Sequence, residues 1–262
     1  MSRRGSPERS IDRLVAGFGT VATAYERSRP EYPAAAYDLL RSQFGLKRGA
    51  TVIDLAAGTG KFTRGLVGTR AAIVAIEPTA GMRRVFRRAV PGLPVLDGSA
   101  EVMSVPDGFA DAVTVAQAFH WFHAPRALSE IHRVLRPGGG LALVWNERDE
   151  SVDWMRELSD LIQPLRHRAP GYRGANWRTA FAHRRSFTPL RHRRFRHSQR
   201  LDVAGAVDRV RSISFVAIAP RPVQARIARS VRSLLRTHPD TRGRSVIEFP
   251  YRTDVYWCFR SR

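Results

Sequence analysis

The segment Val52-Ile53-Asp54-Leu55-Ala56-Ala57-Gly58-Thr59-Gly60-Lys61-Phe62-Thr63 reads VIDLAAGTGKFT, an apolar run that stops at a turn with two glycines. The run Thr51–Leu55 has the length of a buried strand, and a helical pattern begins near Lys61. A glycine-rich turn between a strand and a helix is typical of a binding site, because small residues let the backbone approach a ligand. The segment therefore predicts a strand, a binding turn and a helix.

Two phosphate-binding patterns fit this turn poorly. A P-loop needs a glycine five residues before Gly60 and a serine or threonine after Lys61, but the chain has Leu55 and Phe62 at those positions. The dinucleotide fingerprint G-x-G-x-x-G finds two glycines and then has Thr63 at its last position. The P-loop thus fails at two positions and the dinucleotide fingerprint at one.

A third pattern fits better, with an acid at the strand end and small residues at alternate positions: Asp54-x-Ala56-x-Gly58-x-Gly60. A carboxylate just before the turn would repel a pyrophosphate, whereas it would attract an ammonium or a sulfonium group. The small residues leave room for an adenosyl group. We therefore expect this turn to bind a cationic adenosyl ligand and no phosphate.

Short apolar runs continue to alternate with helical segments as far as Asn146. Further strands are predicted at Ala72–Glu77, Leu93–Asp97, Ala110–Ala116 and Leu141–Trp145, and further helices begin near Thr79 and Ala124. This alternation predicts a doubly wound, Rossmann-like α/β fold with a mostly parallel sheet. The sequence RPGGG, Arg136–Gly140, is predicted to turn the chain from the last helix into the fifth strand.

The regions on either side of this alternation are mostly helical in pattern. Residues 11–44 predict an N-terminal helical cap, broken at Arg29–Pro33. After Asn146, helical insertions are predicted near Val152–Leu165, Asp202–Ser212 and Pro222–Leu235, with a weakly patterned strand at Thr188–Arg200. The period-two pattern of Ile247–Phe259 predicts an antiparallel closing strand with one buried face.

The composition excludes several classes of protein. The single cysteine, Cys258, allows no internal disulfide and no cysteine-built zinc site, and we expect no metal. No run approaches the ~18 apolar residues of a membrane span, and no apolar stretch follows the basic N-terminal residues as in a secretory signal. We expect a cytoplasmic protein.

The net charge of +21 is concentrated in the C-terminal part of the chain. Residues 151–262 carry 24 basic and 8 acidic side chains, and residues 161–200 carry eleven arginines and no acid. All but two of the 44 basic residues are arginines, which indicates a bias in nucleotide composition. A solvated arginine-rich surface is favoured over a nucleic-acid footprint, which stays the alternative.

The acid-and-glycine pattern resembles motif I of the class I S-adenosylmethionine-dependent methyltransferases, D/E-x-G-x-G-x-G, with Ala56 in place of the first glycine. The resemblance implies S-adenosylmethionine as the cofactor and Glu77 as the acid on its ribose hydroxyls. Gly98–Glu101, GSAE, resembles the adenine-contacting turn and implies contacts from Ser99 and Ala100. Ala127–Trp145 is similar to the helix, turn and fifth strand of the family.

The N-terminal part narrows the resemblance to a subgroup. Seven residues resemble its entrance pattern F-x3-A-x2-Y-x3-R-P-x-Y-P: Phe18, Ala22, Tyr25, Arg29, Pro30, Tyr32 and Pro33. The subgroup also carries His120-Trp121-Phe122 and includes relatives of trans-aconitate methyltransferase, while the ubiquinone/menaquinone C-methyltransferase type tolerates alanine in motif I. Tyr25 is expected at the cofactor and Tyr32 at the acceptor, unless both are core aromatics.

The resemblance implies methyl transfer to a small-molecule acceptor, for which the arginine-rich region is compatible with an anion. It also implies a single domain over residues 11–262. In it, residues 11–45 form the cap, 46–150 the cofactor-binding core and 151–262 the acceptor-site elaboration, after a disordered arm at 1–10. His120 is the candidate general base, with packing against Trp121 as the alternative. Gln117 is expected at the cofactor, and Trp121, Trp145 and Asn146 at the acceptor.

Two absent signatures lower the weight of nucleic-acid substrates. The chain has Gln117–His120 where many amino-group methyltransferases have the signature N/D-P-P-Y/F. RNA cytosine C5 methyltransferases use a cysteine nucleophile, but the single cysteine of this chain, Cys258, is far from the predicted cofactor edge. An RNA or DNA methyltransferase, or a binding module that uses the basic region 161–200, stays the alternative. A fold that binds the cofactor without catalysis is a third hypothesis.

Overall fold

The computed structural model describes residues 29–165, 177–182 and 186–261. The predicted arm at 1–10, the helix predicted before Arg29 and the candidate cofactor residue Tyr25 lie outside the described residues.

The helices and strands follow the predicted alternation. The α-helices are α1 (Ala34–Phe44), α2 (Lys61–Val67), α3 (Ala80–Ala89), α4 (Ala124–Val134), α5 (Asp153–Ile162), α6 (Val203–Arg211), α7 (Ser214–Ala217) and α8 (Arg221–Thr237). The strands are β1 (Thr51–Leu55), β2 (Ala72–Ile76), β3 (Val95–Leu96), β4 (Ala110–Ala116), β5 (Leu135–Arg148), β6 (Arg191–Leu201) and β7 (Ile247–Phe259). Short 3-10 turns lie at Phe119–Trp121, Gln163–Leu165 and Trp177–Phe181.

The strands form one sheet in the order β3-β2-β1-β4-β5-β7-β6. β1 pairs in parallel with β2 and β4, and β4 pairs in parallel with β5. The Rossmann-like α/β prediction is confirmed. Because the chain leaves β1 first towards β3 and later towards β5, the sheet has its topological switch between β1 and β4, where such folds bind ligands.

The sheet ends in two antiparallel strands, β7 and β6, in agreement with the predicted closing strand Ile247–Phe259 and the strand predicted at Thr188–Arg200. Between β5 and β7, partner numbers fall along one strand as they rise along the other: Arg260 N donates to Gly139 O, and Asp149 N donates to Pro250 O. Between β6 and β7, His192 contacts Asp254 and Ser198 contacts Glu248, which is again an antiparallel order.

The chain forms two compact units, each assembled from separated segments. Among the described residues, one unit comprises 31–146, 177–182, 186–196 and 252–261 and contains the glycine turn; the other comprises 29–30, 147–165 and 197–251. The first has a core built on both faces of the sheet, around Ile53, Val113 and Leu143 on one face and Val52, Ala142 and Val144 on the other. The second has its own core of helix and strand residues, including Leu158, Val231 and Phe249. The predicted subdivision at 46–150 and 151–262 stays a prediction.

The prediction that RPGGG is a turn before the fifth strand is wrong. β5 begins at Leu135, directly after α4, and its pairing with β4 jumps from Ala110↔Leu135 to Ala112↔Gly140. The residues between these pairs form an irregularity in the ladder, which Gly138 permits with a φ of 77°. Gly140 is itself required, because a Cβ there would lie 2.2 Å from the ring of Phe44.

The third strand is shorter than predicted, with only Val95 and Leu96 in β3. Pro94 has no N–H to extend the ladder on one side. On the other side, Asp97 pairs with Arg83, whose Nη2 lies 2.8 Å from its carboxylate. β6 begins three residues later than the predicted strand.

Candidate functional site

The glycine turn is a tight backbone path at the carboxyl end of β1. Ala56, Gly58 and Gly60 all have positive φ, at 55°, 59° and 87°. At Gly60 a Cβ would also lie 2.5 Å from Cγ2 of Val90, so both conformation and space require glycine. Ala56 adopts the left-handed conformation despite its Cβ, at a cost of about 1 kcal/mol. The alternate small residues of the sequence pattern are therefore the positions where the chain reverses.

Glu77, the residue after β2, fixes the turn from the neighbouring strand. Its Oε2 accepts a hydrogen bond from the backbone N of Gly58 at 2.9 Å, and its Oε1 accepts one from the N of Thr79 at 2.8 Å. The side chain is buried, and burial raises the pKa of this carboxyl, while the two N–H donors partly offset the rise. Glu77 thus lies at the edge of the turn, where the sequence placed it.

Asp54 lies beneath the turn rather than on its surface. It is 1% exposed; the hydroxyl of Thr63 donates to its Oδ2 at 2.5 Å and the hydroxyl of Thr114 to its Oδ1 at 3.0 Å. Burial raises the pKa of Asp54 to about 6, and the charge of Glu77 acts in the same direction. With both oxygens bound by hydroxyls, Asp54 acts on the turn mainly through its charge, and its direct contact with a ligand stays a prediction.

Lys61, the lysine that follows the turn, forms an ion pair with a carboxylate. The Nζ of Lys61 lies 2.8 Å from Oε1 of Glu31, which also receives Nη2 of Arg64 at 3.0 Å. Lys61 is buried in this contact. It therefore differs from a P-loop lysine, which points its ammonium at phosphate.

Gln117 and Asn146 lie together at the carboxyl ends of β4 and β5. Gln117 has a φ of 60°, and its Nε2 donates to the backbone O of Asn146 at 2.9 Å. The Nδ2 of Asn146 donates to the backbone O of Glu31 at 3.0 Å, and the hydroxyl of Thr253 donates to its Oδ1. This chain of hydrogen bonds joins the entrance segment to the ends of two strands.

His120 lies in the 3-10 turn that follows β4. The indole Nε1 of Trp145 donates to its Nδ1 at 3.2 Å, and the ring of Trp121 lies 5.2 Å from its ring. An imidazole that accepts at Nδ1 carries its proton on Nε2 when neutral. His120 therefore presents a donor at Nε2 in this arrangement, and its role as a base stays a prediction.

The remaining candidates differ in exposure. Trp145 is fully buried and Asn146 is buried, whereas Trp121 and Tyr32 are half-buried. The ring of Tyr32 packs edge-on against Phe62 at 4.9 Å. The indole of Trp145 donates to His120, and its direct contact with an acceptor stays a prediction.

Ser99 and Ala100 form a small turn after β3. The backbone of Ser99 exchanges two hydrogen bonds with Val102, and its hydroxyl accepts from the N of Glu101 at 3.2 Å. Ala100 is 4% exposed. The adenine contacts assigned to this turn stay predictions.

The structure brings most of the sequence-predicted residues to one edge of the sheet. Parallel strands end at the same edge, so the residues that follow β1, β2, β3, β4 and β5 all lie there. Sequence reasoning missed Thr63, Thr114 and Glu31 as partners of the site. Of these three, only Thr63 stood out in the sequence, because it occupies the position of the last glycine in the dinucleotide fingerprint G-x-G-x-x-G.

Among the described residues, no helix is long and apolar enough to cross a membrane.

The comparisons with known proteins agree with this geometry. A family profile described as a methyltransferase domain matches residues 53–143. The methyltransferase Rv3342 of Mycobacterium tuberculosis, itself uncharacterised, is 39% identical over 236 residues, which cover 90% of this chain and 92% of the relative. The methyltransferase-like protein C25B8.10 of Schizosaccharomyces pombe, also uncharacterised, is 32% identical over 91% of this chain and 93% of its own length.

A solved structure shares the fold. A protein of Anaeromyxobacter dehalogenans assigned to the type II methyltransferases superposes with a TM-score of 0.66, at 22% identity, over 89% of this chain and 97% of its own. Motifs, sheet order and relatives agree, and the chain belongs to the class I S-adenosylmethionine-dependent methyltransferases.

Proposed function

We propose that this methyltransferase binds S-adenosylmethionine at the glycine turn and transfers its methyl group to a small-molecule acceptor by in-line displacement. The observation that carries the proposal is the buried pair of carboxylates, Asp54 and Glu77, around a turn of small residues. Their negative charge favours a sulfonium-bearing ligand and disfavours a polyphosphate.

Each cofactor role follows from a position at the sheet edge. Glu77 is in the place of the ribose acid, and Gly58 and Gly60 let the backbone approach the methionine part. Ser99 and Ala100 follow β3, next to β2, in the place of the adenine contacts. A structural neighbour supports the cofactor: phosphoethanolamine N-methyltransferase 2 of Haemonchus contortus, solved with S-adenosylhomocysteine, superposes with a TM-score of 0.59 at 14% identity over 100% of this chain and 62% of its own.

Methyl transfer from a sulfonium needs mainly alignment and exclusion of water. We place the acceptor near His120, at the end of β4. With Trp145 bound to Nδ1, His120 donates from Nε2 and can hold an oxygen of the acceptor in line with the methyl group. An ionised carboxylate acceptor would need no base.

The environment of Cys258 favours a small-molecule acceptor over methylation at C5 of an RNA cytosine. This thiol is fully buried in β7, and burial raises its pKa to about 12. A nucleophilic cysteine needs an accessible thiolate. Cys258 therefore does not provide the nucleophile that RNA cytosine C5 methylation uses.

A ligand titration tests the proposal. We expect micromolar binding of S-adenosylmethionine by calorimetry, weakened about 10-fold or more in Glu77→Gln, because a hydrogen bond to a charged group contributes about 1.5–3 kcal/mol. Asp38→Asn is the control, since it removes one exposed carboxylate that has no contact with Glu77. It should leave the affinity unchanged.

A second ligand separates ribose binding from damage to the turn. The 2′,3′-dideoxy form of S-adenosylhomocysteine lacks the hydroxyls that Glu77 would bind, so Glu77→Gln should not weaken it further. No binding of S-adenosylmethionine to the wild-type protein would refute the proposed cofactor. Acceptors are then screened with labelled cofactor, and His120→Gln, which keeps an N–H near Nε2, distinguishes a donor from a base.

A further inference from the structure

Arg209 is a buried cation in α6 with few partners. The residue is 5% exposed, and its Nε donates to the hydroxyl of Tyr251 at 3.0 Å. Its Nη1 is buried and has no hydrogen-bond partner in the part of the chain that the structure describes. Within that same part no carboxylate lies at ion-pair distance from Arg209. A buried guanidinium without a counter-charge is destabilising, because it has lost its water.

A second arginine increases the local positive charge. Arg148, half-buried at the end of β5, donates from Nε to the hydroxyl of Ser159 at 2.9 Å. Burial of its guanidinium and the charge of Arg209 lower the pKa of Arg148 to about 10, and the carboxylates of Glu147 and Glu150 only partly oppose this. The positive charges of Arg209 and Arg148 therefore act on each other within one compact unit.

Aromatic rings complete the surroundings of Arg209. The ring of Tyr251, itself 1% exposed, stacks with the ring of His197 at 5.6 Å. Burial lowers the pKa of His197, which favours the neutral imidazole. Its Nε2 is a second buried nitrogen with no hydrogen-bond partner among the described residues.

We propose that Arg209, next to the hydroxyl of Tyr251, binds a small monovalent anion of the carboxylate class. The planar guanidinium matches two carboxylate oxygens, and an anion on Nη1 would supply the missing counter-charge. A monovalent anion is favoured over phosphate, because the penalty for burial rises with charge. The site uses none of the residues of the glycine turn, so it does not depend on the proposed transfer reaction.

The test measures anion binding by the full chain without cofactor. Equilibrium dialysis with labelled acetate should find about one bound anion per wild-type chain. Acetate at about ten times its dissociation constant should raise the unfolding temperature by roughly 3 °C relative to sodium chloride of equal ionic strength. Neutral acetamide should have no such effect.

Arg209→Met should lose at least 10-fold in acetate affinity, since it removes the charge and keeps an apolar side chain of similar length. Arg211→Met is the control, because Arg211 is exposed on the same helix and its loss changes the net charge equally. Tyr251→Phe, which removes one oxygen, should weaken acetate binding and provides a second variant if Arg209→Met does not fold.

Three outcomes would overturn the inference. The first is the absence of acetate binding by the wild-type chain. The second is equal binding by the wild-type and Arg209→Met proteins. The third is binding of phosphate but not of acetate, which would refute the carboxylate class.

Discussion

Asp54 is a carboxylate that the fold keeps out of water while giving each of its oxygens a hydroxyl donor. The sequence placed it correctly at the end of β1 and predicted its charge as the reason for ligand choice. It could not indicate that Thr63 and Thr114 bind the carboxylate, because Thr114 is sixty residues away along the chain. Its position in the sheet makes Asp54 a buried source of negative charge, and its direct contact with a ligand stays a prediction.

The raised pKa of Asp54 predicts a specific pH dependence of stability. The carboxyl has a pKa of about 6 in the folded chain and an ordinary pKa of 3.8, so between these limits the folded state binds more protons than the unfolded state. Stability should therefore rise as pH falls from above 6 towards 4. At pH 7 the buried charge costs about 3 kcal/mol, from 1.36 kcal/mol per pKa unit.

Asp54→Asn should reduce this pH dependence, because an amide does not titrate and can still bond both hydroxyls. The part contributed by the buried carboxyl of Glu77, whose pKa is also raised, should remain. The measurement is the urea midpoint between pH 4 and pH 7.5, with Asp38→Asn as the control for loss of an exposed carboxylate. An unchanged slope in Asp54→Asn would contradict the assignment. Binding of S-adenosylmethionine should also weaken below pH 6, and more than binding of S-adenosylhomocysteine, which lacks the sulfonium charge.

At the scale of elements, α1 and α2 pack closely through a glycine. Gly65 lies in the interior of α2, where alanine would ordinarily stabilise a helix by about 1 kcal/mol. A Cβ at this position, however, would lie 2.0 Å from Cζ of Tyr37, whose ring stacks on Phe62 at 5.0 Å. The requirement for glycine comes from the neighbouring helix and not from α2 itself.

Gly65→Ala should lower the free energy of unfolding by about 1–3 kcal/mol, the usual cost of overpacking. Gly68→Ala is the control, because its Cβ would meet nothing closer than a backbone oxygen at 3.5 Å, and it should be nearly neutral. The added substitution Tyr37→Leu should recover part of the loss. Denaturant midpoints of the four proteins check this, and equal stability of Gly65→Ala and the wild type would contradict the packing.

The elements themselves were largely predictable from sequence, and their ends were less so. The strands of the parallel sheet were predicted because each is a short apolar run between turn residues. β5 was predicted too short, since RPGGG reads as a turn when only local preferences are considered. In the sheet, Leu135 and Gly140 both pair with β4, and the backbone O of Gly139 accepts from the N of Arg260, so the strand continues on both sides of the irregularity.

Part of the arginine excess of the protein lies on an edge strand of the sheet. β6 is the last strand in the sheet order, and its pattern RHRRFRHSQRL is mostly exposed. Charged side chains on an edge strand discourage pairing with another sheet. Part of the charge is also neutralised within the protein, because His192 and Arg194 both contact the buried carboxylate of Asp254.

We therefore predict that nucleic-acid binding is weak and electrostatic. A labelled single-stranded RNA should bind measurably at 50 mM salt and lose its binding near physiological salt, because counterion release dominates such contacts. Arg193→Gln combined with Arg196→Gln, which removes two exposed charges of β6, should reduce the low-salt binding further. Fluorescence anisotropy over a salt series is the measurement. Tight binding at physiological salt would instead support the nucleic-acid alternative.

The order of strands and helices, the glycine turn with its two acids and the family resemblance could all be predicted from the amino-acid sequence. These features are local, since each depends on residues within a short stretch of chain. Three contacts could not be predicted in this way: hydroxyls bind Asp54, Glu31 pairs with Lys61 beside the turn, and Arg209 is buried beside Tyr251. Burial and charge depend on neighbours that are distant in sequence, and only the folded chain brings those neighbours together.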